Sequence, residues 1–330
     1  MSGFALVTGA AGFVGRHLVR RLVAKGESVR AIDLAFQPPV DAADSRVASI
    51  NDTDALADAM RDVHSVFHCA AIPHLWARDK HDFDRINVAG TRKVLEVAKA
   101  AGVQRFVHVS SFVTLVATRF SGRMVDETES TQASEMLGAY PLSKHRSERL
   151  ALEASDKSFE VVAVLPSAPV GAFDYHLTPP SKLTRDLVRG RVPATLDCLM
   201  NLIDAEALTE AMIAARDKGR AGERYLLTGP DMRMAEFLAV LEGVSGKSMP
   251  KRVVPGSVAY AAAWVEEQLI APMRGKPPGA PLTGVRLARA GVRFDNNKAR
   301  RELGLAPPPL ENSLGAALEW MRSEGLIDPD

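Results

Sequence analysis

Short β-branched runs alternate with longer stretches of helical period over the first half of the chain. Phe4–Thr8 reads as a strand, and Val14, Leu18, Leu22 and Val23 then recur at helical spacing as far as Gly26, the expected C′ residue. Val29–Asp33 reads as the next strand. A helix capped by Asp52 or Thr53 carries Leu56, Ala59 and Met60. Val63–His68 and residues 105–110 and 161–165 read as further strands. Helices over residues 82–101, closed by Gly102, and 140–154 separate them. Regular alternation of this kind predicts an α/β fold, a Rossmann-type doubly wound parallel sheet wrapped by helices.

After Pro166 the rhythm breaks, and Pro, Gly and aromatic residues crowd positions 166–180. Residues 201–203, followed by a helix from Asp204, read as a return to the sheet, and Arg224–Leu227 as one more strand. The expected division is a Rossmann domain over 1–165, with 194–228 returning to it. Residues 166–193 and 229–330 would form an interleaved substrate-binding lobe and the C-terminal helices. That lobe would cover the carboxyl edge of the sheet, where open α/β sheets bind ligands.

Composition narrows the function classes. The 330 residues carry a net charge of +1, which gives no support to nucleic acid or an anionic surface as partner. Cys69 and Cys198 are the only cysteines, too few for a disulfide framework and compatible with a reducing cytoplasm. No ligand spacing for a metal is present. The N-terminus lacks the layout of a signal peptide. The most apolar stretch, 258–271, is interrupted by Glu266 and Glu267, so no transmembrane segment is expected. The helix over 258–270, with Tyr260 and Trp264, reads as lid or core before membrane anchor.

Candidate chemistry begins at Thr8-Gly9-Ala10-Ala11-Gly12-Phe13-Val14-Gly15, a glycine-rich link between the first strand and the first helix. Gly9, Gly12 and Gly15 would permit a tight turn, close approach of a pyrophosphate, and close packing of helix on strand. The backbone N–H groups of Phe13 and Val14 would face the anion. Asp33 ends the next strand, 18 residues beyond Gly15, where a carboxylate accepts hydrogen bonds from ribose hydroxyls and repels a 2′-phosphate. Leu34-Ala35-Phe36-Gln37 offers no cation, so NAD is expected over NADP. Arg30, three positions earlier in the strand, should point elsewhere.

Tyr140-Pro141-Leu142-Ser143-Lys144 sets a phenol and an ammonium on one helix face. A nearby cation favours the ionised phenol and makes it a usable acid and base near neutral pH. Other segments accompany this pair: Val66-Phe67-His68-Cys69-Ala70-Ala71, Asn87-Val88-Ala89-Gly90-Thr91 and Val107-His108-Val109-Ser110-Ser111. With the glycine turn, the chain resembles the extended short-chain dehydrogenase/reductase family, of the NAD-dependent epimerase/dehydratase type. Phe294-Asp295, Lys298-Ala299-Arg300 and Leu303-Gly304 look like its C-terminal helix region.

The resemblance implies NAD as cofactor and Ser111, Tyr140 and Lys144 as catalytic residues. Tyr140 would carry the proton, Lys144 would hold the nicotinamide ribose and lower the tyrosine pKa, and Ser111 rather than Ser110 would bind the substrate oxygen. Asn87 would fix backbone near the cofactor. Ala70 and Ala71 would line the ribose, and Pro166 to Ala168 would lie against the nicotinamide. The family often sets an Asp against adenine; here Ala48-Ser49-Ile50-Asn51-Asp52 puts Ser49 there, with Ile50 beside it and Asp52 as a helix cap. A homodimer through a two-helix face is common in the family.

His74, Trp76, Phe173 and Tyr175 are the candidate substrate contacts. His108, between valines in a strand, reads as a satisfied core histidine. The stretch Leu165-Pro166-Ser167-Ala168-Pro169-Val170-Gly171 is similar to dihydroflavonol reductase-like, 3β-hydroxysteroid dehydrogenase-like and hopanoid-associated epimerase-like members. Its apolar, cation-poor character suits an uncharged sterol, terpenoid or aromatic substrate. The expected reaction interconverts a secondary alcohol and a ketone. The alternatives are a nucleotide-sugar epimerase or dehydratase with retained NAD, and a non-catalytic NAD sensor.

Overall fold

A computed structural model describes residues 3–328. Its centre is a seven-stranded sheet built first from β1 (Phe4–Thr8), β2 (Val29–Asp33), β3 (Asp44–Val47), β4 (Val63–His68) and β5 (Arg105–Val109). Glu160–Pro166 and Arg224–Leu227 complete it. Across the sheet the order is Arg224–Leu227, Glu160–Pro166, β5, β4, β1, β2, β3, with every pair parallel. The order reverses between β4 and β1, which opens a crevice beyond their carboxyl ends.

The strands read as continuous apolar runs because both faces are covered. On one face Ala5, Val7, Phe67, Val107 and Val164 pack against Leu18, Val19 and Leu22 of α1 (Phe13–Ala24) and against the Ala205–Lys218 helix. On the other, Leu6, Ile32, Val66 and Phe106 meet α2 (Thr53–Ala59) and the helices ending at Ala100 and Glu153. Asp52 caps α2, accepting from Ala55 N at 3.0 Å.

Three differences from the sequence reading have physical causes. The β3 strand was not foreseen, because Asp44-Ser45-Arg46-Val47 alternates half-exposed and exposed side chains at the sheet edge. The helix over 82–101 is not uniform: a short turn at His81–Phe83 leads into a π-helix at Asp84–Gly90 before regular helix resumes at Thr91–Ala100. Asn87 sits inside the π-turn. It accepts from Ile72 N at 2.8 Å and donates to Ser143 Oγ at 3.0 Å, which ties this helix to two neighbours. Residues 201–203 do not return to the main sheet. They lie in Leu199–Asp204, which pairs with Ala168–Val170 and Asp231–Arg233 in a separate three-stranded sheet. From 194–228, the Ala205–Lys218 helix packs on the main sheet and Arg224–Leu227 joins it.

The small sheet carries its own core of Phe237, Leu241, Leu314, Leu318 and Met321, drawn from the Met234–Ser245 and Leu310–Ser323 helices. The Asn297–Leu303 helix packs back on the main sheet through Ala299 and Leu303. Among the described residues no helix is long and apolar enough to cross a membrane.

Candidate active site

The three glycines of the turn after β1 differ in what a side chain would meet. Gly9 has φ +67°, and a Cβ there would lie 2.6 Å from Ala70 N in the loop after β4. A Cβ on Gly15 would lie 2.1 Å from Gly9 O. Gly12 has only Gly9 O within 4 Å, at 3.2 Å, so one side of the turn is bare. Gly12 is the N-cap of α1, which has no side-chain cap and no acidic residue in its first turn. The first N–H groups of a helix, Phe13 and Val14 among them, lack intrahelical acceptors and attract an anion. An uncapped helix start beside a bare glycine fits a pyrophosphate.

Asp33 closes the turn from β2: Oδ2 accepts from Ala11 N at 2.9 Å and Oδ1 from Leu34 N at 2.7 Å. Each oxygen keeps a further lone pair for a ribose hydroxyl. The arginines near this end are committed elsewhere. Arg16 donates to the carbonyls of Pro38 and Pro39 at 2.7 Å each. Arg30 binds Asp44 at 2.6 Å and the carbonyls of Ala59 and Arg61.

The other cofactor candidates are spread around the crevice. Ala70 N hydrogen-bonds Thr8 Oγ1 at 3.3 Å, and Ala71 follows it, half-buried. Ser49 accepts from Asn51 N at 3.1 Å, while Ile50 is 7% exposed and packs in the sheet core, so it presents little surface to an adenine. Pro166 ends its strand and Ala168 begins the next, with the Ser167 hydroxyl buried and unpartnered between them.

Ser111, Tyr140 and Lys144 come together at the same edge. Ser111 caps the short turn after β5, its hydroxyl accepting from Val113 N at 3.4 Å, and it lies beside the Tyr140 phenol. Ser110 is occupied otherwise: its hydroxyl donates to Glu148. Glu148 also accepts from Thr114 Oγ1 at 3.1 Å and Arg224 Nη1 at 3.0 Å. Tyr140, Lys144 and Glu148 recur every four residues on the Ala139–Glu153 helix, so they share one face. Glu148 was missed by the sequence reading, although that spacing is a signal for it.

Burial raises the Tyr140 phenol above its ordinary value, and only the hydrogen bond with Ser111 works the other way. Lys144 donates to Val109 O at 2.7 Å. Burial lowers Lys144 itself to about 8, against the opposing pull of Glu148. That bond to Val109 O anchors the ammonium to β5.

A cavity of about 240 Å³ adjoins this edge, lined by Leu75, Trp76, Phe83, Ala139, Trp264 and Leu282. The Phe83 ring is 6.1 Å from that of Tyr140. Of the four substrate candidates only Trp76 lines it. His74 is exposed near Asp174, His176 and Lys182. Phe173 and Tyr175 lie outside the cavity lining and make ring contacts. Phe173 stacks under Arg20 at 4.2 Å and beside His17, and Tyr175 meets the Trp320 ring at 5.2 Å and Arg16 at 5.0 Å. Trp264, read earlier as lid or core, lines the cavity and is 46% exposed. Two cations also reach the wall, Arg286 and Lys80, the latter 3.9 Å from Glu267. They come from outside the stretch whose composition was cation-poor. His108 is buried but only half satisfied, with Nε2 3.4 Å from Ser147 Oγ and Nδ1 unpartnered.

An uncapped helix at a sheet crossover and a hydroxyl pair beside an anchored lysine define a dinucleotide-dependent enzyme. Residues 6–168 match the 3-beta hydroxysteroid dehydrogenase/isomerase family. Over 98% of its length the chain is 31% identical to "Sterol demethylase protein B" of Methylococcus capsulatus, covering 99% of that protein. It is 33% identical to a "4-hydroxy-2-methyl-3-oxo-4-farnesyl-3,4-dihydroquinoline-1-oxide ketoreductase" of Stigmatella aurantiaca, covering 91% of each chain. The crystal structure of gox2253 superposes with a TM-score of 0.85 at 30% identity, covering 99% of this chain and 100% of that one. The chain belongs to the 3-beta hydroxysteroid dehydrogenase/isomerase family, within the extended short-chain dehydrogenases/reductases. It is an NAD-dependent oxidoreductase of that type.

Proposed function

We propose that this protein interconverts a secondary alcohol and a ketone on an uncharged, largely apolar substrate of sterol, terpenoid or aromatic type. The observation that carries the reading is that Ser111 and Tyr140 stand next to a cavity where Leu75, Trp76, Phe83, Trp264 and Leu282 supply apolar wall and Lys80, Glu267, Gln268, Thr283 and Arg286 supply a polar side. Relatives at comparable identity are named for sterol and farnesyl-quinoline substrates. Bound NAD supplies the site that takes up or gives back a hydride.

Each residue then has a role. Gly9 and Gly15 shape the turn, and Gly12 with the N–H groups of Phe13 and Val14 receives the pyrophosphate. Asp33 holds the adenosine ribose, and Ser49 and Ile50 border the adenine. Ala70 and Ala71 line the ribose, and Pro166 and Ala168 flank the nicotinamide. Ser111 donates to the substrate oxygen, and Tyr140 gives or takes the proton there. Lys144, held by Val109 O, keeps a positive charge beside the ribose and the phenol. Burial alone makes Tyr140 a weak acid, so its proton must leave for an oxygen that is gaining negative charge. We place the protein in a reducing compartment such as the cytoplasm, where Cys69 and Cys198 stay free, and assign it the homodimer common in its family.

The test is Tyr140→Phe assayed on a panel of apolar alcohols by NADH formation. Loss of about 10³-fold in kcat, within the range for a missing general acid or base, with little change in KM, supports the assignment. Near-normal turnover removes it. Activity on a nucleotide-sugar without net NADH formation would instead place the chain among epimerases or dehydratases.

A further inference from the structure

Residues 256–274 form one helical segment: regular helix over Gly256–Val265, a π-turn at Glu266–Ile270, then Ala271–Arg274. It leaves an apolar face uncovered. Val258, Val265, Leu269 and Met273 recur at intervals of seven, four and four, and are 55%, 40%, 53% and 87% exposed. Ala261 and Ala262 are exposed on the same segment. Side chains of this size are seldom left together in water without a partner.

The charges are sorted by side. Both acids of the segment turn toward the protein: Glu266 accepts from Gly279 N at 2.8 Å and Glu267 from Leu282 N at 2.9 Å. The cations stand outside. Lys251 and Arg252 precede the segment, Arg274 and Lys276 end it, all four are exposed, and among the described residues none is in an ion pair. Trp264 sits at the junction, lining the cavity while 46% of it remains exposed. The cavity therefore opens beside the apolar face.

We propose that this face docks on an anionic phospholipid bilayer, so that an apolar substrate passes from the lipid into the cavity beside Trp264. The purpose rests on the reading of an apolar substrate; the docking itself does not. A helix with an apolar face and flanking cations lies in the plane of the interface, and each Lys or Arg near an anionic surface strengthens the attraction. A second copy of the chain is the poorer occupant, because a two-fold contact sets the same patch, with the same unpaired cations, against itself.

The experiment is co-sedimentation of the full chain with vesicles of phosphatidylcholine alone and of phosphatidylcholine mixed with phosphatidylglycerol. Binding should be about tenfold stronger to the anionic vesicles and should weaken as salt is raised. Leu269→Glu combined with Met273→Glu should lose about tenfold of that binding. Both side chains lie away from the catalytic residues and the cavity wall, so melting temperature and turnover of a water-miscible alcohol should be unchanged. Failure of the wild type to pellet with either vesicle overturns the proposal. So does binding that ignores the double substitution, or a change of assembly state in the variant without vesicle binding in the wild type. If vesicles bind but no apolar alcohol is turned over, the surface stands and the substrate reading falls.

Discussion

The two ends of the site are built differently. At the glycine turn, the groups that would meet a ligand are backbone N–H groups at the start of α1, and their neighbours are backbone too: Gly15 against Gly9 O, Gly9 against Ala70 N. At the cavity, the lining is made of side chains from segments far apart in sequence: 75–83, 138–139 and 264–286. The first end is rigid because backbone is packed on backbone. The second is assembled by tertiary contact and can vary side chain by side chain. One scaffold can thus keep its redox chemistry while its substrate changes, as the different names of the relatives suggest.

The largest expected effect tests where chemistry and scaffold meet. Lys144→Met should lower kcat/KM by about 10³-fold, or about 4 kcal/mol of transition-state stabilisation. The same change has a pH signature. Folding lowers Lys144 to about 8, from an ordinary value near 10.5. Between those values the unfolded chain holds a proton that the folded chain has released, so this group adds stability as pH rises through the window. Below about 8 both states are protonated and the full cost of burying the charge is present. Melting temperature measured from pH 7.5 to 10 should therefore show a flatter dependence in Lys144→Met than in wild type. An identical slope would mean that Lys144 is not held low.

The contrast in rigidity predicts opposite outcomes for one substitution at two glycines. Gly15→Ala places a Cβ 2.1 Å from Gly9 O, which is backbone and has nowhere to move. It should cost about 3 kcal/mol or more of stability, as severe overpacking does, and abolish measurable dinucleotide binding. Gly284→Ala, in the Leu282–Ala290 helix, places a Cβ 3.2 Å from Leu75 Cδ1, the free end of a flexible side chain. Gain in helix propensity offsets that crowding, leaving stability within about 1 kcal/mol of wild type. Chemical denaturation of both variants checks the pair. Equal losses would erase the distinction.

The same contrast explains what the sequence could tell. β1, β2 and β4 match their expected limits because buried parallel strands are rich in β-branched and apolar residues and are bounded by turn residues such as Gly9, Ser28 and Asp62. Ser111 and Tyr140 could be paired from motif alone because each sits at a fixed offset from a strand or on a helix face. The edge strand Asp44–Val47 lacked an apolar signal, and the π-turn around Asn87 depends on Ile72 and Ser143, 15 and 56 residues away. The contacts of Phe173 and Tyr175 were hidden for a similar reason. Aromatic residues beside prolines at the carboxyl edge suggest a binding site, but their partner Trp320 lies some 150 residues on, where no local pattern points to it. The Val109 carbonyl that engages Lys144 is visible only in the fold.

The smallest expected effects sharpen the boundary of the cavity. Trp264→Ala removes a wall and should raise KM for an apolar substrate by about tenfold, close to 1.4 kcal/mol, with kcat little changed. Phe173→Leu should do the reverse. Its ring lies 4.2 Å from the Arg20 guanidinium and packs near His17 and Trp320, none of which lines the cavity. Loss of the aromatic face should cost about 1 kcal/mol of stability through the cation–π contact and leave KM within about twofold. Because the two residues are both large aromatics on the smaller half of the chain, general loosening of that half would move both parameters in both variants. Only a real wall at Trp264 and a real packing joint at Phe173 separate them. A KM change in Phe173→Leu as large as that in Trp264→Ala would move the substrate site toward α1 and away from the cavity.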